Sequence, residues 1–391
     1  MRVLLPHGEF PAALATARCL AAAGHDVAVG DHKRAVVARF SRAVTRFVAL
    51  PPPGRDPTAF CAAVVDEART FGADAVLPIF DEGMILGGLW PTSCKVRLVA
   101  PSWEQASELA DKWMAWERCR ASSMSFAPTM MATESAAAIA RDLGLPAVLK
   151  PRWAASGYGV QVASTSADLA RALAGIADRS AFVAQRWAGR QPWVFQGLFD
   201  QGRCVAAHAY RVLCRHPPEH GFGILLESTT EPEILGVGIR LGDRLGYHGL
   251  LGVDFLNEPG RPARIVEINP RMVLGVVNAV DSGVPLPALA LTLDLERHGD
   301  VAAKTPGYRA GVQTLHWPSR SVSRATGESL TRQFIRWGRS HLHDPGALAA
   351  FFGTILAYRR SGGVDAESIN VDRALSLDVV RQIQRARSHA L

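Results

Sequence analysis

The 391-residue sequence has no GxGxxG turn, no glycine loop closing in GKS or GKT, no HExxH and no GxSxG. These absences remove the nicotinamide and flavin dinucleotide fingerprint, the Walker phosphate loop, the helical zinc peptidase motif and the hydrolase nucleophile elbow. Its six cysteines (Cys19, Cys61, Cys94, Cys119, Cys204, Cys214) are scattered and form no CxxC. That argues against a disulfide framework or a cysteine zinc site and for reduced thiols, as in a cytoplasm. The start, MRVLLPHGEF, has neither a long apolar stretch nor an obvious cleavage site. The uncharged stretch SGVPLPALALTL is too short to span a bilayer and carries prolines. The expectation is a soluble, cytoplasmic protein without a membrane partner. Lysines are few, yet the net charge is +7. The arginines are spread along the chain and not interleaved with aromatics, so no nucleic-acid partner is expected; anionic small molecules or a GC-rich genome explain the balance.

Hydrophobic residues make up 48%, enough for packed cores, and at roughly 150 residues per domain the length suggests two or three of them. The first part alternates strands (RVLLP, HDVAVGD, RFVAL, ADAVLPIF, VRLVAPS) with helices (PAALATARCLAAAG, TAFCAAVVDEARTFG). That order predicts an α/β, doubly wound parallel sheet ending near residue 104. One helix is expected over WEQASELADKWMAWERCRASS, then strands and helices through FVAQRWAG, and a hairpin turning at DQG. After residue 300 only two amphipathic helices stand out, GESLTRQFIRWGRSHL and DPGALAAFFGTILAYRR.

The most informative stretch is RIVEINPR, residues 264–271. Alternation along a strand puts Arg264, Val266 and Ile268 on one face and Ile265, Glu267, Asn269 and Arg271 on the other. Upstream, GLLGVDFL is a second strand-like run, and NEPGRP between the two is dense in turn formers. A hairpin centred on Gly260 and Arg261 pairs Asp254 with Glu267 and aligns Val253 and Phe255 with Val266 and Ile268. Two carboxylates opposed across strands lie roughly 5 Å apart and repel. With the Asn269 amide oxygen they suit a hard cation such as Mg2+, with Mn2+ as an alternative; a solvated polar face is the competing reading.

In AVLKPRWAASGYGVQV a lysine, Lys150, ends an apolar strand. The small residues after it, Ala154, Ala155, Ser156, Gly157 and Gly159, let backbone N–H groups approach a polyphosphate; a plain hairpin turn reads equally well.

The ordered set DKW, KPRWAASGYGV, FVAQRWAG, GVDFL and VEINPR resembles the ATP-grasp superfamily over roughly residues 1 to 300. Carboxylate–amine ligases, the ATP-binding halves of carbamoyl phosphate synthetase, biotin carboxylase and D-alanine–D-alanine ligase are the most similar in pattern. The resemblance implies a pre-ATP-grasp α/β domain (1–104) and an ATP-grasp domain (105–305, lid subdomain about 128–184) whose two α+β subdomains clasp the nucleotide. A mostly helical segment of unknown role follows (306–391). It implies ATP and Mg2+ as cofactors and Asp254, Glu267 and Asn269 as metal ligands. Arg271 then steadies a phosphate or acyl phosphate, and Lys150 and Lys112 contact the nucleotide. Residues 154–159 form a lid over the triphosphate. The backbone of Gln185, Arg186, Trp187 and Ala188 binds adenine, over an apolar bed at Leu256.

There are departures. Gln185, Arg186 and Gln191 stand where the family often has glutamates. Gly252 and Val253 stand where ligases often have a cation, so Arg211, with Arg215 behind it, is the candidate for the γ-phosphate. Substrate residues are expected in the loops His7 to Phe10 and Phe80 to Glu82 and around Glu227. The implied activity joins a small-molecule carboxylate and an amine, amino acids or their derivatives, through an acyl phosphate. A bicarbonate-activating enzyme and an ATP-binding sensor are the alternatives, and a homodimer is a candidate assembly.

Overall fold

The computed structural model describes residues 1–9, 11–155, 157–216, 221–257, 260–295, 307–360 and 375–390. Phe10 and Ser156 therefore lie outside the described residues.

Five short strands open the chain: β1 (Arg2–Leu5), β2 (Asp26–Asp31), β3 (Arg46–Ala49), β4 (Ala75–Val76) and β5 (Arg97–Leu98). They pair in parallel in the order β3-β2-β1-β4-β5. Both faces are covered, as a parallel sheet requires. Val3, Leu5, Val27 and Val29 pack with the helix Pro11–Ala22, while Leu4 and Ala28 pack with the helix Pro57–Phe71. Asp56 caps the latter helix by accepting from the Ala59 N–H, Pro57 opens it, and Gly72 closes it in the left-handed region at φ 67°. The expected doubly wound sheet is present. ADAVLPIF, however, contributes only Ala75–Val76 to the ladder before the chain turns into a loop. Strand order reverses between β1 and β4, so a crevice opens at their carboxyl ends, where open α/β sheets place ligands. His7 follows β1 there, and Phe80 to Glu82 follow β4.

The second sheet is antiparallel: β6 (Thr129–Met131), β7 (Ala147–Pro151), β8 (Gln161–Ala163) and β9 (Phe182–Arg186), in the order β6-β9-β7-β8. Ala147, Leu149 and Ala184 face the helices Ala136–Leu143 and Ser166–Ala174. Alternation then turns Val148, Lys150 and Gln185 to the open face.

The third sheet has six antiparallel strands: β10 (Gln191–Asp200), β11 (Arg203–His216), β12 (Phe222–Thr229), β13 (Gly249–Asn257), β14 (Arg264–Asn269) and β15 (Gln313–Leu315). Their order is β14-β13-β10-β11-β12-β15. The β10–β11 hairpin turns at DQG, with Gln201 at φ 48° and Gly202 at φ 88°. One face packs Phe195, Phe199, Val253 and Phe255 against Ile234, Val237 and Leu241 of the helix Pro232–Arg244. Gly238 and Gly242 on that helix are obligatory small residues, since a Cβ would come within 2.3 Å of Phe195 and 2.1 Å of Phe199.

The single helix expected over residues 103–123 is two, Trp103–Ala110 and Lys112–Ala121, broken at Asp111. Asp111 ends the first, caps the second through Trp113 N–H, and pairs with Arg152. The break matters because it aims Lys112 inward. After residue 306, β15 extends the third sheet, and the last helix, Leu377–Ala390, returns to the first domain through Val379, Val380 and Ile383. No single helix among the described residues is long and apolar enough to cross a membrane.

Candidate active site

The β13–β14 register pairs Asp254 with Glu267 and Gly252 with Asn269, as the hairpin argument requires. A bulge follows: Phe255 pairs with Ile265, so Val266 is the extra residue on β14. This reverses the expected parity. Ile265 joins Val253, Phe255 and Ile268 in the core, whereas Val266 turns to the other face with Leu256, Ala127 and Ala188. The bulge thus puts an apolar cluster from β14, β13 and the segment after β9 beside the carboxylates, where adenine was expected to lie. Asn269 Nδ2 donates to Asp254 Oδ2 at 2.8 Å. Burial first, and then the nearby Glu267, push the Asp254 carboxyl up to about 6, against Arg215, Arg271 and the Asn269 hydrogen bond. Two apposed carboxylates and one amide are a hard oxygen donor set that fits Mg2+; among the described residues no cluster of three or more His, Cys, Asp or Glu offers another metal site.

Two lysines converge on the carboxylates from other elements. Lys112 Nζ lies 3.4 Å from Glu267 Oε1 and donates to the Ala154 carbonyl at 2.6 Å. Lys150 Nζ donates to Gln185 Oε1 at 2.7 Å. Gln185 in turn donates to Thr129 Oγ1 at 3.2 Å and to the Val266 carbonyl at 3.3 Å, linking the second sheet to the third. Burial pulls the Lys150 ammonium down to about 8, with Glu267 and Asp254 holding it up and Lys112 and Arg215 opposing them. Gly157 and Gly159 have φ of 75° and 67°, as a loop able to fold its backbone toward a phosphate needs, and a Cβ on Gly159 would meet Pro151 Cγ at 2.8 Å. In the hinge, Arg186 N–H bonds the Pro128 carbonyl and Trp187 N–H the Pro146 carbonyl. The Ala188 N–H has no partner among the described residues and is the donor of this segment that remains open. The Arg186 guanidinium instead holds the Leu143 and Asp142 carbonyls at the end of a helix.

Arg211 does not join this cluster. It pairs across β10 with Trp193 and Phe255, the face opposite Asp254, and its guanidinium holds Glu227 Oε1 at 2.9 and 2.5 Å. Glu227 goes with it. Two bulges in the β11–β12 ladder, between Val212 and Arg215, re-aim the strand, and Arg215 is enclosed close enough to Asp254 to feel its charge; burial lowers the arginine's pKa. Arg215 is thus the arginine of β11 that faces the carboxylates. Lys150→Ala is expected to weaken ATP binding ten- to a hundredfold, from a charge-assisted bond of about 1.5–3 kcal/mol, and to leave adenosine binding nearly unchanged. Calorimetry with both ligands checks this, and equal ATP affinity in the variant would remove Lys150 from the site.

Arg271 leaves β14 toward the first domain. Its Nε donates to Asp81 Oδ1 at 2.5 Å, its Nη1 to the Met272 carbonyl at 3.0 Å, and its guanidinium lies 4.0 Å over the Phe80 ring. The loop bearing Phe80 and Asp81 is set by Glu82, which accepts from Ile79 N–H at 2.6 Å and Phe80 N–H at 3.1 Å and meets His7 Nδ1 at 3.1 Å. The structure therefore joins His7, Phe80, Asp81 and Glu82 to the Asp254–Glu267 corner through Arg271. Sequence reasoning missed Tyr210. It pairs with Val194, which pairs with Asp254, so all three share a face. Its ring is buried against Gly275, where a Cβ would come within 2.1 Å of it. Counting outward from the DQG turn pairs Trp193 with Tyr210 and hides it; the extra residue Val205 shifts the β10–β11 register by one and turns Tyr210, not Arg211, to the Asp254 face.

No family model matches the chain, and no curated protein matches it. Solved structures do. Biotin carboxylase from Campylobacter jejuni, solved as a beta-gamma-ATP complex, superposes with a TM-score of 0.64 at 15% identity, over 80% of this chain and 74% of that one. The biotin carboxylase domain of 2-oxoglutarate carboxylase from Hydrogenobacter thermophilus, solved with MgADP and bicarbonate, gives 0.61 at 14% over 76% and 70%. N5-carboxyaminoimidazole synthetase from Staphylococcus aureus gives 0.56 at 14% over 74% and 77%. The chain has the ATP-grasp fold expected from its motif order. Within that fold its likeness is to biotin carboxylases and a carboxyaminoimidazole synthetase.

Proposed function

We propose that the protein is an ATP-dependent ligase that activates a carboxylate as an acyl phosphate and transfers the acyl group to an amine. The observation that carries this reading is one cluster: Asp254, Glu267 and Asn269 on adjacent strands, with Lys112, Lys150, Arg215 and Arg271 around them. Asp254, Glu267 and Asn269 would hold Mg2+ or Mn2+, which when bound supplies positive charge to phosphate oxygens. Lys150 and Lys112 hold the nucleotide phosphates. The Leu256, Val266 and Ala188 surface seats the base, and the Ala188 N–H orients it. Arg215 offsets charge on the transferring phosphoryl group, and Arg271 holds the attacking carboxylate.

A carboxylate oxygen then bonds to the γ-phosphorus as the bond to the β–γ bridging oxygen breaks, releasing ADP. The amine nitrogen bonds to the acyl carbon, the carbon–oxygen bond to phosphate breaks, and the nitrogen gives up a proton. No side-chain nucleophile is needed; the chain positions and neutralises. Bicarbonate as the activated carboxylate is the second reading, favoured by likeness to structures of carboxylases. ADP release, measured over carboxylate and amine mixtures and separately over bicarbonate, decides between them. Nucleotide binding with no turnover on any mixture points to an ATP-binding module instead.

A further inference from the structure

A cavity of about 40 Å3 lies beside Arg271, at the meeting of the first domain and the third sheet. Phe80 and Met84 wall it from the first domain, Leu198 and Leu250 from β10 and β13, and Leu293 from the helix Leu286–Leu295. Its place in the sheet is informative. β10 and β13 pair Val194 with Asp254, Gln196 with Gly252 and Leu198 with Leu250. Alternate residues share a face, so Leu250 and Leu198 lie on the face that carries Asp254, about 13 Å further along the strand at 3.3 Å per residue. The cavity thus continues the metal-binding face toward the first domain, and Arg271 stands at its edge.

The polar side chains of this wall differ in how they are engaged. Asp294 holds Arg97 Nε at 2.7 Å, whereas the buried His248 Nδ1, 3.4 Å from Asp200, makes no hydrogen bond among the described residues. Arg271 gives Nε to Asp81 and Nη1 to Met272, while its Nη2 has no partner among the described residues. One free guanidinium edge above a mostly apolar cavity suits a ligand with one carboxylate and an apolar tail. A second acid finds no lysine or arginine in the wall besides Arg271 and meets the Asp294 carboxylate there. Space of this size holds about three waters, which matches a chain of three or four carbons.

We infer that this cavity receives the tail of the carboxylate substrate, and that the substrate is a monocarboxylic acid with a short apolar tail whose carboxylate meets Arg271. The inference rests on the ligase reading for its chemistry, and the test separates the two. Hydroxylamine replaces the unknown amine: its nitrogen bonds to the acyl carbon, phosphate leaves, and a coloured hydroxamate accumulates. Acetate, isobutyrate, isovalerate, 4-methylvalerate and succinate are compared with MgATP. Each well-fitted carbon raises kcat/KM about fourfold, so isovalerate exceeds acetate by some tens of fold and succinate gives no product. Ala100→Leu, which fills the cavity from a partly exposed loop, moves the preference to acetate; Leu293→Ala, which enlarges it, moves the preference to 4-methylvalerate. Tail-independent kcat/KM, or variants that keep the wild-type order, overturns the inference while leaving the ligase standing. If no acid yields hydroxamate, calorimetry with isovalerate and MgADP decides. Binding that is lost in Ala100→Leu sustains the pocket and sinks the ligase, and no binding to the wild type overturns the pocket.

Discussion

Glu267→Gln is expected to lower turnover about a thousandfold or more while leaving a folded protein. Charge stabilisation by a bound cation is worth several kcal/mol in the transition state, and about 1.4 kcal/mol is a factor of ten in rate. The amide keeps the shape of Glu267 but removes half of the carboxylate charge of the Asp254–Glu267 pair. The effect on stability is less obvious. Considered alone, the hairpin gains from the change, because two like charges no longer oppose each other. The structure adds Lys112, 3.4 Å from Glu267 Oε1, and Lys150, held up by the same carboxylate. Their loss of a partner outweighs the relief of one repulsion, so a fall of a few degrees in melting temperature is expected without Mg2+. Added Mg2+ then raises the melting temperature of the wild type more than that of the variant. Wild-type turnover in Glu267→Gln, measured as ADP release, would falsify the metal assignment.

The Asp254–Glu267 register was legible in the sequence because a turn-forming run fixes where a hairpin folds, and the pairing of opposed residues follows by counting. The bulge after Asp254 was not, because an extra residue leaves no mark on an alternation that is apolar on both sides at Ile265 and Val266. That one residue decides which side chain shares the face beside the carboxylates. The same limit explains Arg211 and Tyr210. They are neighbours in the chain and on opposite faces of β11, and the bulge at Val205 exchanges the faces that counting from the turn assigns to them. Gln185 was expected to serve the hinge through its backbone, and its side chain turns out to tie Lys150 to β14. The parallel sheet was legible because its strands are short apolar runs separated by helices with clear ends. β15 was not, as three residues are too few to show a period; it belongs to the sheet by pairing with β12.

Glu82→Gln is expected to destabilise the protein by about 3–5 kcal/mol, the usual result of removing one partner from a buried ion pair. Glu82 is fully buried and His7 is 5% exposed. Burial opposes charge on both and is the largest single influence on each, yet their mutual attraction and hydrogen bond prevail: His7 is raised above its ordinary 6.5 and Glu82 lowered below its ordinary 4.5. A raised histidine contributes stability that is complete below pH 6.5 and lost as pH rises through its folded-state value. A lowered carboxyl contributes stability that is complete above pH 4.5 and lost as pH falls through its own. The difference between wild type and variant should therefore be greatest between about pH 4.5 and 6.5 and shrink on both sides. Urea unfolding across that range checks it; a difference that does not vary with pH would show the pair to be uncharged. Function should suffer as well. Glu82 accepts from the Ile79 and Phe80 N–H groups and so fixes the loop that offers Phe80 and Asp81 to Arg271. A glutamine has one oxygen for those donors and takes from His7 the carboxylate it hydrogen-bonds. Turnover in the folded fraction should fall while ATP affinity holds, because in the proposed reaction Arg271 serves the carboxylate and not the nucleotide.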